Sequence, residues 1–168
     1  MGSEMARLLE AVDFAARKHK EQRRLDPEGT PYINHPIVPL APSSPQAALL
    51  HDTVEDTDTT FSEIEEWFGA EVRRVVEEVT DDKTLPKMER KRLQIERAPH
   101  CSRRAKLVKL ADKLYNLRDL NRCTPRGWSA ERVQEYFRWA ARVVSGLRGT
   151  SAALEGALQR LFEERGVA

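Results

Sequence analysis

The chain contains little cysteine and no apolar run long enough to span a lipid bilayer. Its two cysteines, Cys101 and Cys123, do not form a Cys-x-x-Cys pair, and residues 1–5 lack an apolar signal region. These absences predict a cytoplasmic protein whose thiols are reduced.

An excess of charge of either sign is also missing, since 28 lysines and arginines face 27 aspartates and glutamates, for a net charge of +1. This balance gives no electrostatic reason to bind nucleic acid or a membrane surface. No segment alternates apolar and polar residues as a half-buried strand does, whereas apolar residues recur at helical spacing along nearly the whole chain. We therefore predict an all-α fold in which residues 1–168 form a single domain.

The most informative segment begins with His51-Asp52 and ends with Glu55-Asp56, directly after the apolar run of residues 47–50. If that run is helical and the helix continues, His51 shares a face with Glu55, and Asp52 shares one with Asp56. An imidazole and three carboxylates in so short a segment are more typical of a metal site than of an ordinary helix surface.

Two further segments supply more metal-binding side chains. His35 lies in the turn-like segment of residues 32–36, and Asp112 lies beside the apolar stripe of a predicted helix. With His51 and Asp52 they give two imidazoles and two carboxylates, a set that suits Mn, Fe or Zn better than an all-oxygen calcium site or an all-thiolate zinc site. We predict that His35, His51, Asp52 and Asp112 bind one metal ion.

These motifs resemble those of the HD-domain metal-dependent phosphohydrolases, and within them the hydrolase part of the RelA/SpoT alarmone enzymes. The resemblance is greatest to the small, free-standing metazoan branch, and the matching segments, in family order, are residues 14–19, 26–36, 49–56, 79–83 and 107–117. It implies an HD-domain helical bundle that uses Mn²⁺, with Zn²⁺ or Fe²⁺ as alternatives. It also implies that Glu55 and Asp56 are the general acid and base.

The activity that the resemblance implies is removal of the 3′-pyrophosphate of ppGpp, with removal of the NADPH 2′-phosphate as a second activity. The RelA/SpoT synthetase, TGS and ACT regions have no counterpart here, so we expect degradation of the alarmone without synthesis. We expect no nucleic-acid or membrane partner, and a monomer or weak homodimer.

The resemblance also implies a set of substrate-binding residues, in which Tyr32 would stack on the base and Arg24 would contact phosphate. The set consists of Arg24, Tyr32, Lys87, Asn116, Arg132 and Tyr136. Leu25 departs from the family pattern, which has a lysine at this position. The departure removes one cation from the expected phosphate-binding surface.

Proline recurs every third residue between His35 and His51. This period is typical of polyproline II and incompatible with a helix, so we predict a proline-rich linker over residues 36–46 in place of a family helix. About ten residues of polyproline II cover roughly 30 Å, which is enough to join the two histidines across a core. The shortened segment leaves open a catalytically impaired variant or a nucleotide-binding protein. An HD-type 5′-nucleotidase is a further alternative, although the Glu55-Asp56 pair favours the alarmone branch.

Overall fold

The structure, a computed structural model, describes residues 3–37 and 45–167. Its secondary structure in these residues is helical, apart from one isolated bridge between Arg23 and Pro31, so the predicted all-α fold is confirmed. The α-helices are α1 (Glu4–Lys18), α2 (Asn34–Ile37), α3 (Pro45–Leu50), α4 (Thr53–Asp56), α5 (Phe61–Phe68), α6 (Ala70–Val79), α7 (Lys87–Arg97), α8 (Arg103–Arg122), α9 (Ala130–Ser145) and α10 (Ala152–Glu164). A 3₁₀ turn, Ala98–His100, follows α7.

Hydroxyl side chains cap several helices where the sequence indicates a helix start. Thr60 accepts a hydrogen bond from the Glu63 amide at 3.1 Å, and Ser129 accepts one from the Arg132 amide at 3.1 Å, as N-cap residues do. Gly69, with φ of 89°, separates α5 from α6 in a conformation that favours glycine. These local signals define the ends of the helices that surround the site.

The predicted linker of residues 36–46 is wrong at both of its ends. Pro36 lies inside α2, and Pro45 and Gln46 belong to α3. Proline is tolerated in the first turn of a helix, where its missing N–H has no partner to lose. The polyproline II prediction for residues 38–44 lies outside the described residues.

Two groups of buried residues form the interior. The N-terminal core consists of Ala11, Ala15, Ala47, Ala48, Leu49, Leu50, Ile64, Val75, Val76, Ala105 and Val108. The C-terminal core consists of Ala98, Leu110, Leu114, Leu117, Leu120, Val133, Phe137, Ala140, Val143, Val144, Leu147, Ala157, Leu158 and Phe162. Since α8 contributes to both groups, it is the element that fixes one core relative to the other.

None of the described helices is both long and apolar enough to cross a membrane.

Candidate metal centre and substrate cavity

The four predicted metal ligands come together from three separate parts of the fold. His35 lies on α2, His51 and Asp52 form the turn after α3, and Asp112 lies in the middle of α8. One potential ligand atom from each residue lies within 4.8 Å of all the others. The two imidazoles are buried, with exposed fractions of 1% for His35 and 5% for His51.

Two carboxylate oxygens alternate with two imidazole nitrogens around a common point. His35 Nε2 lies 2.9 Å from Asp112 Oδ1 and 3.3 Å from Asp52 Oδ2. His51 Nε2 lies 3.0 Å from Asp52 Oδ2 and 3.3 Å from Asp112 Oδ1. Each nitrogen therefore faces the same two oxygens. One cation at the centre of these four atoms could bind to all of them.

The expected continuous helix through His51 is wrong, and the break helps to form the site. The α3 helix ends at Leu50, and α4 begins only at Thr53. Neighbouring residues on a regular helix point about 100° apart, because a turn takes about 3.6 residues. The turn instead brings the side chains of two consecutive residues, His51 and Asp52, to the same point.

The tautomer of His51 follows from its other hydrogen bond. His51 Nδ1 lies 2.5 Å from the Ala48 carbonyl oxygen, which can only accept, so Nδ1 carries the proton. In the neutral ring Nε2 is then the unprotonated nitrogen, and it is buried without a well-aligned hydrogen bond. A backbone carbonyl that fixes the tautomer in this way is typical of metal-binding histidines. The residues present therefore fit a divalent cation with N and O ligands.

The charges of the four groups depend on one another. Burial lowers the pKa of His51, but the negative charges of the Asp52 and Asp112 carboxylates beside its Nε2 outweigh it, so in the absence of a metal ion the pKa is raised well above its ordinary value. Burial raises the pKa of Asp112, but the Lys113 ammonium and hydrogen bonds with the two histidines hold it well below its usual range. Burial likewise opposes ionisation of Asp52, but His51 and His35 outweigh it and lower its pKa, so both carboxylates are kept ionised, as a metal ligand must be.

Three neighbouring side chains hold the two carboxylates in place. Tyr32 donates its hydroxyl proton to Asp52 Oδ2 at 2.5 Å. Asn116 donates to Asp112 Oδ1 at 3.0 Å, and the Lys113 ammonium lies 3.3 Å from Asp112 Oδ2. The Asn116 and Tyr32 side chains, predicted as substrate contacts, therefore also contact the candidate metal ligands.

Glu55 and Asp56 lie on α4, one turn beyond the candidate ligands. A carboxylate oxygen of Glu55 accepts a hydrogen bond from the Asp81 amide at 2.7 Å, and Asp56 pairs with the Lys83 ammonium at 2.9 Å. Burial raises the pKa of Glu55 to about 7; the negative charges of Asp81, Asp52 and Asp56 add to the rise, and the Asp81 amide opposes it. A carboxyl group with this pKa can both take up and release a proton at neutral pH.

A cavity of about 390 Å³ lies beside the candidate metal centre. Four of the six predicted substrate-binding residues line it: Arg24, Tyr32, Asn116 and Tyr136. Its wall also contains apolar side chains, namely Leu25, Leu120, Pro125 and Trp128. A mixture of apolar surface and a few converging polar groups is typical of small-molecule sites.

The other two predicted substrate residues do not line this cavity. The Arg132 guanidinium lies 4.1 Å from the ring centroid of Trp128, which does, so Arg132 sits at the edge of the cavity. Lys87 is exposed at the first position of α7. Arg24 is already engaged with Asp119 at 2.9 Å and with Asn116 at 3.2 Å. A phosphate group would therefore share Arg24 with an existing carboxylate partner.

Sequence reasoning missed two residues near the site. Lys113 is buried on α8 next to Asp112, with its ammonium 4.8 Å from the centre of the Trp139 ring. Its place among the apolar positions of α8 could have predicted that Lys113 is buried. Because lysine is rarely buried without a partner, the neighbouring Asp112 could then have been predicted as that partner. His19, which belongs to none of the predicted site motifs, is buried and packs its ring 4.8 Å from that of Tyr32.

Comparison with known proteins shows the family to which this chain belongs. Residues 11–142 match a family model described as an HD domain. A human protein named guanosine-3′,5′-bis(diphosphate) 3′-pyrophosphohydrolase MESH1 is 70% identical, with 99% of each chain covered. The Drosophila melanogaster protein of the same name is 53% identical, with 96% of each chain covered.

A solved structure is similar over the full length of both chains. It has a TM-score of 0.95 and 50% sequence identity, and it is described as a metazoan orthologue of SpoT that hydrolyses ppGpp and plays a role in starvation responses. The human alignment extends over 182 positions, 14 more than the 168 residues of this chain. At least 14 positions of the human protein therefore have no counterpart here.

Proposed function

This chain belongs to the HD-domain family, in the branch of the metazoan ppGpp 3′-pyrophosphohydrolases, and we propose that it hydrolyses ppGpp to GDP and pyrophosphate. In this reaction the bond between the ribose 3′ oxygen and the pyrophosphate breaks. Water supplies the oxygen that joins the departing pyrophosphate, and the 3′ oxygen takes up a proton.

The observation that carries this proposal is the cluster of His35, His51, Asp52 and Asp112, whose ligand atoms lie within 4.8 Å of one another beside a 390 Å³ cavity. We propose that these four residues bind one divalent ion, Mn²⁺ in preference to Zn²⁺ or Fe²⁺. A bound divalent ion supplies a water of lowered pKa and stabilises negative charge on phosphoryl oxygens.

Glu55 is the proposed general base and Asp56 assists as an acid. Glu55 lies one turn after the candidate ligands, and the Asp81 amide fixes its carboxylate at 2.7 Å. Its pKa of about 7, which burial produces, matches proton uptake from water near neutral pH. The neighbouring Asp56 is held by Lys83, whose ammonium adds positive charge on this side of the site.

The cavity provides the proposed nucleotide site. Tyr136 and Trp128 offer aromatic surface for a base, and Asn116 and Arg24 offer polar contacts. Lys87 and Arg132 are proposed to bind phosphate at the edge of the cavity, where Lys91 adds a third cation. The Lys91 ammonium lies 5.8 Å from the ring centre of Tyr136, and burial together with the charges of Lys87 and Arg132 lowers its pKa.

The experiment that tests the proposal is hydrolysis of ppGpp by the purified protein with Mn²⁺. We expect GDP and pyrophosphate in equal amounts, measured by anion-exchange chromatography, and loss of product formation with a chelator. Glu55→Gln should reduce turnover while Asp58→Asn, a substitution at an exposed acid, should not. Intact ppGpp after incubation with metal-loaded protein would contradict the proposal.

The same assay separates the alternatives. NADPH is proposed as a second substrate, and release of inorganic phosphate from it tests that activity. Deoxynucleoside monophosphates test an HD-type 5′-nucleotidase, for which product should form from these substrates in preference to ppGpp. A shared panel of substrates therefore ranks three activities with one protein preparation.

A catalytically impaired variant is a further alternative, which we keep because at least 14 positions of the human relative have no counterpart here. Its test is a chimaera in which residues 36–46 are replaced by the matching segment of the human protein. Comparable turnover of the two forms supports the hydrolase, and activity in the chimaera alone supports the impaired variant. We further propose one HD domain over residues 1–168, a cytoplasmic location, and a monomer or weak homodimer.

A further inference from the structure

The hydroxyl of Tyr32 contacts the candidate metal centre itself. It donates to Asp52 Oδ2 at 2.5 Å, and this same oxygen lies 3.0 Å from His51 Nε2 and 3.3 Å from His35 Nε2. The hydroxyl is therefore bonded to the oxygen that faces both imidazoles, while the tyrosine ring lines the neighbouring cavity.

The two candidate carboxylate ligands are supported unequally. Asp112 has two supporting partners besides the histidines, with Asn116 at 3.0 Å on Oδ1 and Lys113 at 3.3 Å on Oδ2. Within residues 3–37 and 45–167, Asp52 has only the Tyr32 hydroxyl besides the histidines. The terminal torsion of an aspartate has broad minima, so a carboxylate with one partner depends on that partner for its orientation.

The backbone of Tyr32 is itself well held. Its amide donates to the Gln22 carbonyl at 3.1 Å, and its carbonyl accepts from the His35 amide at 2.9 Å. Its ring packs 4.8 Å from that of His19, and the Arg24 guanidinium lies 5.8 Å from the ring centre. A donor fixed at both its backbone and its ring can impose an orientation on the more weakly supported Asp52.

We infer that Tyr32 is a positioning residue for the metal centre, whose hydroxyl orients the Asp52 carboxylate toward His35 and His51. A carboxylate oxygen has two lone pairs, so the hydroxyl occupies one while the other points to the place between the imidazoles. Groups that hydrogen-bond to metal ligands in this way commonly change metal affinity or activity by about 10–100-fold when they are removed. The inference rests on the proposed metal centre.

This role differs from the base stacking that the sequence resemblance implies for Tyr32. Stacking needs the aromatic ring but not the hydroxyl, whereas positioning needs the hydroxyl. Tyr32→Phe keeps the ring and removes only the oxygen, and Tyr32→Ala removes both. The two substitutions therefore separate the roles.

The test is calorimetric titration of the metal-free protein with MnCl₂. We expect Tyr32→Phe to bind Mn²⁺ on the order of 10-fold more weakly, with an unchanged melting temperature of the metal-free protein. In the hydrolysis assay, the Mn²⁺ concentration for half-maximal rate should rise, while the KM for ppGpp at saturating Mn²⁺ stays constant. Tyr32→Ala should raise that KM if the ring also stacks on the base.

Tyr115→Phe is the matched control, because the Tyr115 ring packs 4.9 Å from that of His35 and it likewise lies under Arg24, at 5.5 Å. Its hydroxyl makes no hydrogen bond to a candidate metal ligand within the described residues. In an Asp52→Asn background, Tyr32→Phe should cost no further Mn²⁺ affinity, since the hydroxyl acts through the carboxylate. Wild-type Mn²⁺ affinity in Tyr32→Phe, or an equal loss in Tyr115→Phe, would overturn the inference. Calorimetry gives this answer even if ppGpp is not the substrate.

Discussion

The N-terminal core and the C-terminal core are built from different kinds of residue, although α8 contributes to both. Alanine supplies five of the eleven residues of the N-terminal core, whereas the C-terminal core consists mainly of leucine and valine with Phe137 and Phe162. The helices that carry the candidate site differ too, since α2, α3 and α4 have four, six and four residues, while α8, α9 and α10 have 20, 16 and 13; the 15-residue α1 is a long helix that packs in the N-terminal core.

Three of the four candidate ligands, His35, His51 and Asp52, lie on or between the short helices. Such short helices are not stable alone and depend on packing for their position. Asp112 is instead carried by the long α8, between Val108 of one core and Leu114 of the other. The comparison teaches that irregular, tightly packed segments bring functional groups together, while the long helices supply a fixed reference.

The largest expected effect is the removal of Asp112, where the two cores meet. Asp112→Asn should lower Mn-dependent turnover of ppGpp by about 10³-fold, because metal-ion catalysis contributes several kcal/mol. Mn²⁺ bound after dialysis, measured by mass spectrometry, should fall in parallel. Asp58→Asn is the control, since that carboxylate is exposed and, among the residues that the structure describes, pairs only with Lys18. If Asp112→Asn retained both metal and activity, Asp112 on α8 would not be a metal ligand.

Truncation of one large side chain in each core tests whether only the N-terminal core controls the metal centre. Leu49→Ala should destabilise the protein by about 2–5 kcal/mol, and Phe137→Ala by about 3–5 kcal/mol. Both are measured by chemical denaturation. At temperatures where both variants are folded, only Leu49→Ala should weaken Mn²⁺ binding, because α3 carries the Ala48 carbonyl that holds His51. Equal losses of Mn²⁺ affinity would contradict the distinction between the two cores.

Alanine substitutions at two glycines of the C-terminal half should change the stability of the protein by smaller amounts and in opposite directions. A Cβ on Gly146 would meet the Ala98 Cβ at 2.8 Å and the Pro99 Cδ at 2.9 Å. Gly146→Ala should therefore cost about 1–3 kcal/mol of stability, as overpacking does. A Cβ on Gly156, inside α10, meets only a flexible arginine tip at 3.9 Å. Gly156→Ala should stabilise by about 0.5–1 kcal/mol, and thermal melts of both variants check the signs.

The smallest effects concern two glutamates whose pKa values shift in opposite directions. Burial raises the pKa of Glu55 from 4.5 to about 7. Its contribution to stability is therefore complete below pH 4.5 and is lost as the pH rises through 7. Burial also raises the pKa of Glu155, but hydrogen bonds from the Gly149, Ser151 and Thr150 amides outweigh it and lower the pKa. Its contribution is present above its unfolded pKa and is lost as the pH falls through the lowered value.

The measurement for this pair is the free energy of unfolding of the metal-free protein across pH 3–8. In the wild-type protein the free energy of unfolding should fall by an amount on the order of 1 kcal/mol, after allowance for solvent screening, as the pH rises from the unfolded to the folded pKa of Glu55. Glu55→Gln should remove this decrease. Glu155→Gln should flatten the acid side of the curve and leave the neutral region as it was. Identical pH profiles for the two variants would mean that the environments of these carboxylates do not differ.

Much of the local structure and the composition of the candidate site could be read from single positions. Thr60 and Ser129 cap helices because their hydroxyls follow a rule of local spacing. His35, His51, Asp52 and Asp112 could be selected because two imidazoles and two carboxylates have few other reasons to occur beside apolar stripes. The break after Leu50 could not be predicted, since it depends on the Ala48 and Leu50 carbonyls accepting side-chain hydrogen bonds from His51 and Thr53.

By itself, the sequence determined the helical class, the N-terminal caps at Thr60 and Ser129 and the set of metal-binding residue types, because these depend on spacing and on the chemistry of single side chains. Only the tertiary structure decided which groups meet. The Tyr32 hydroxyl reaches Asp52 across 20 positions, and Arg24 reaches Asp119 across 95. Partners so far apart along the chain leave no local pattern, since packing of the two cores against α8 brings them within hydrogen-bonding distance.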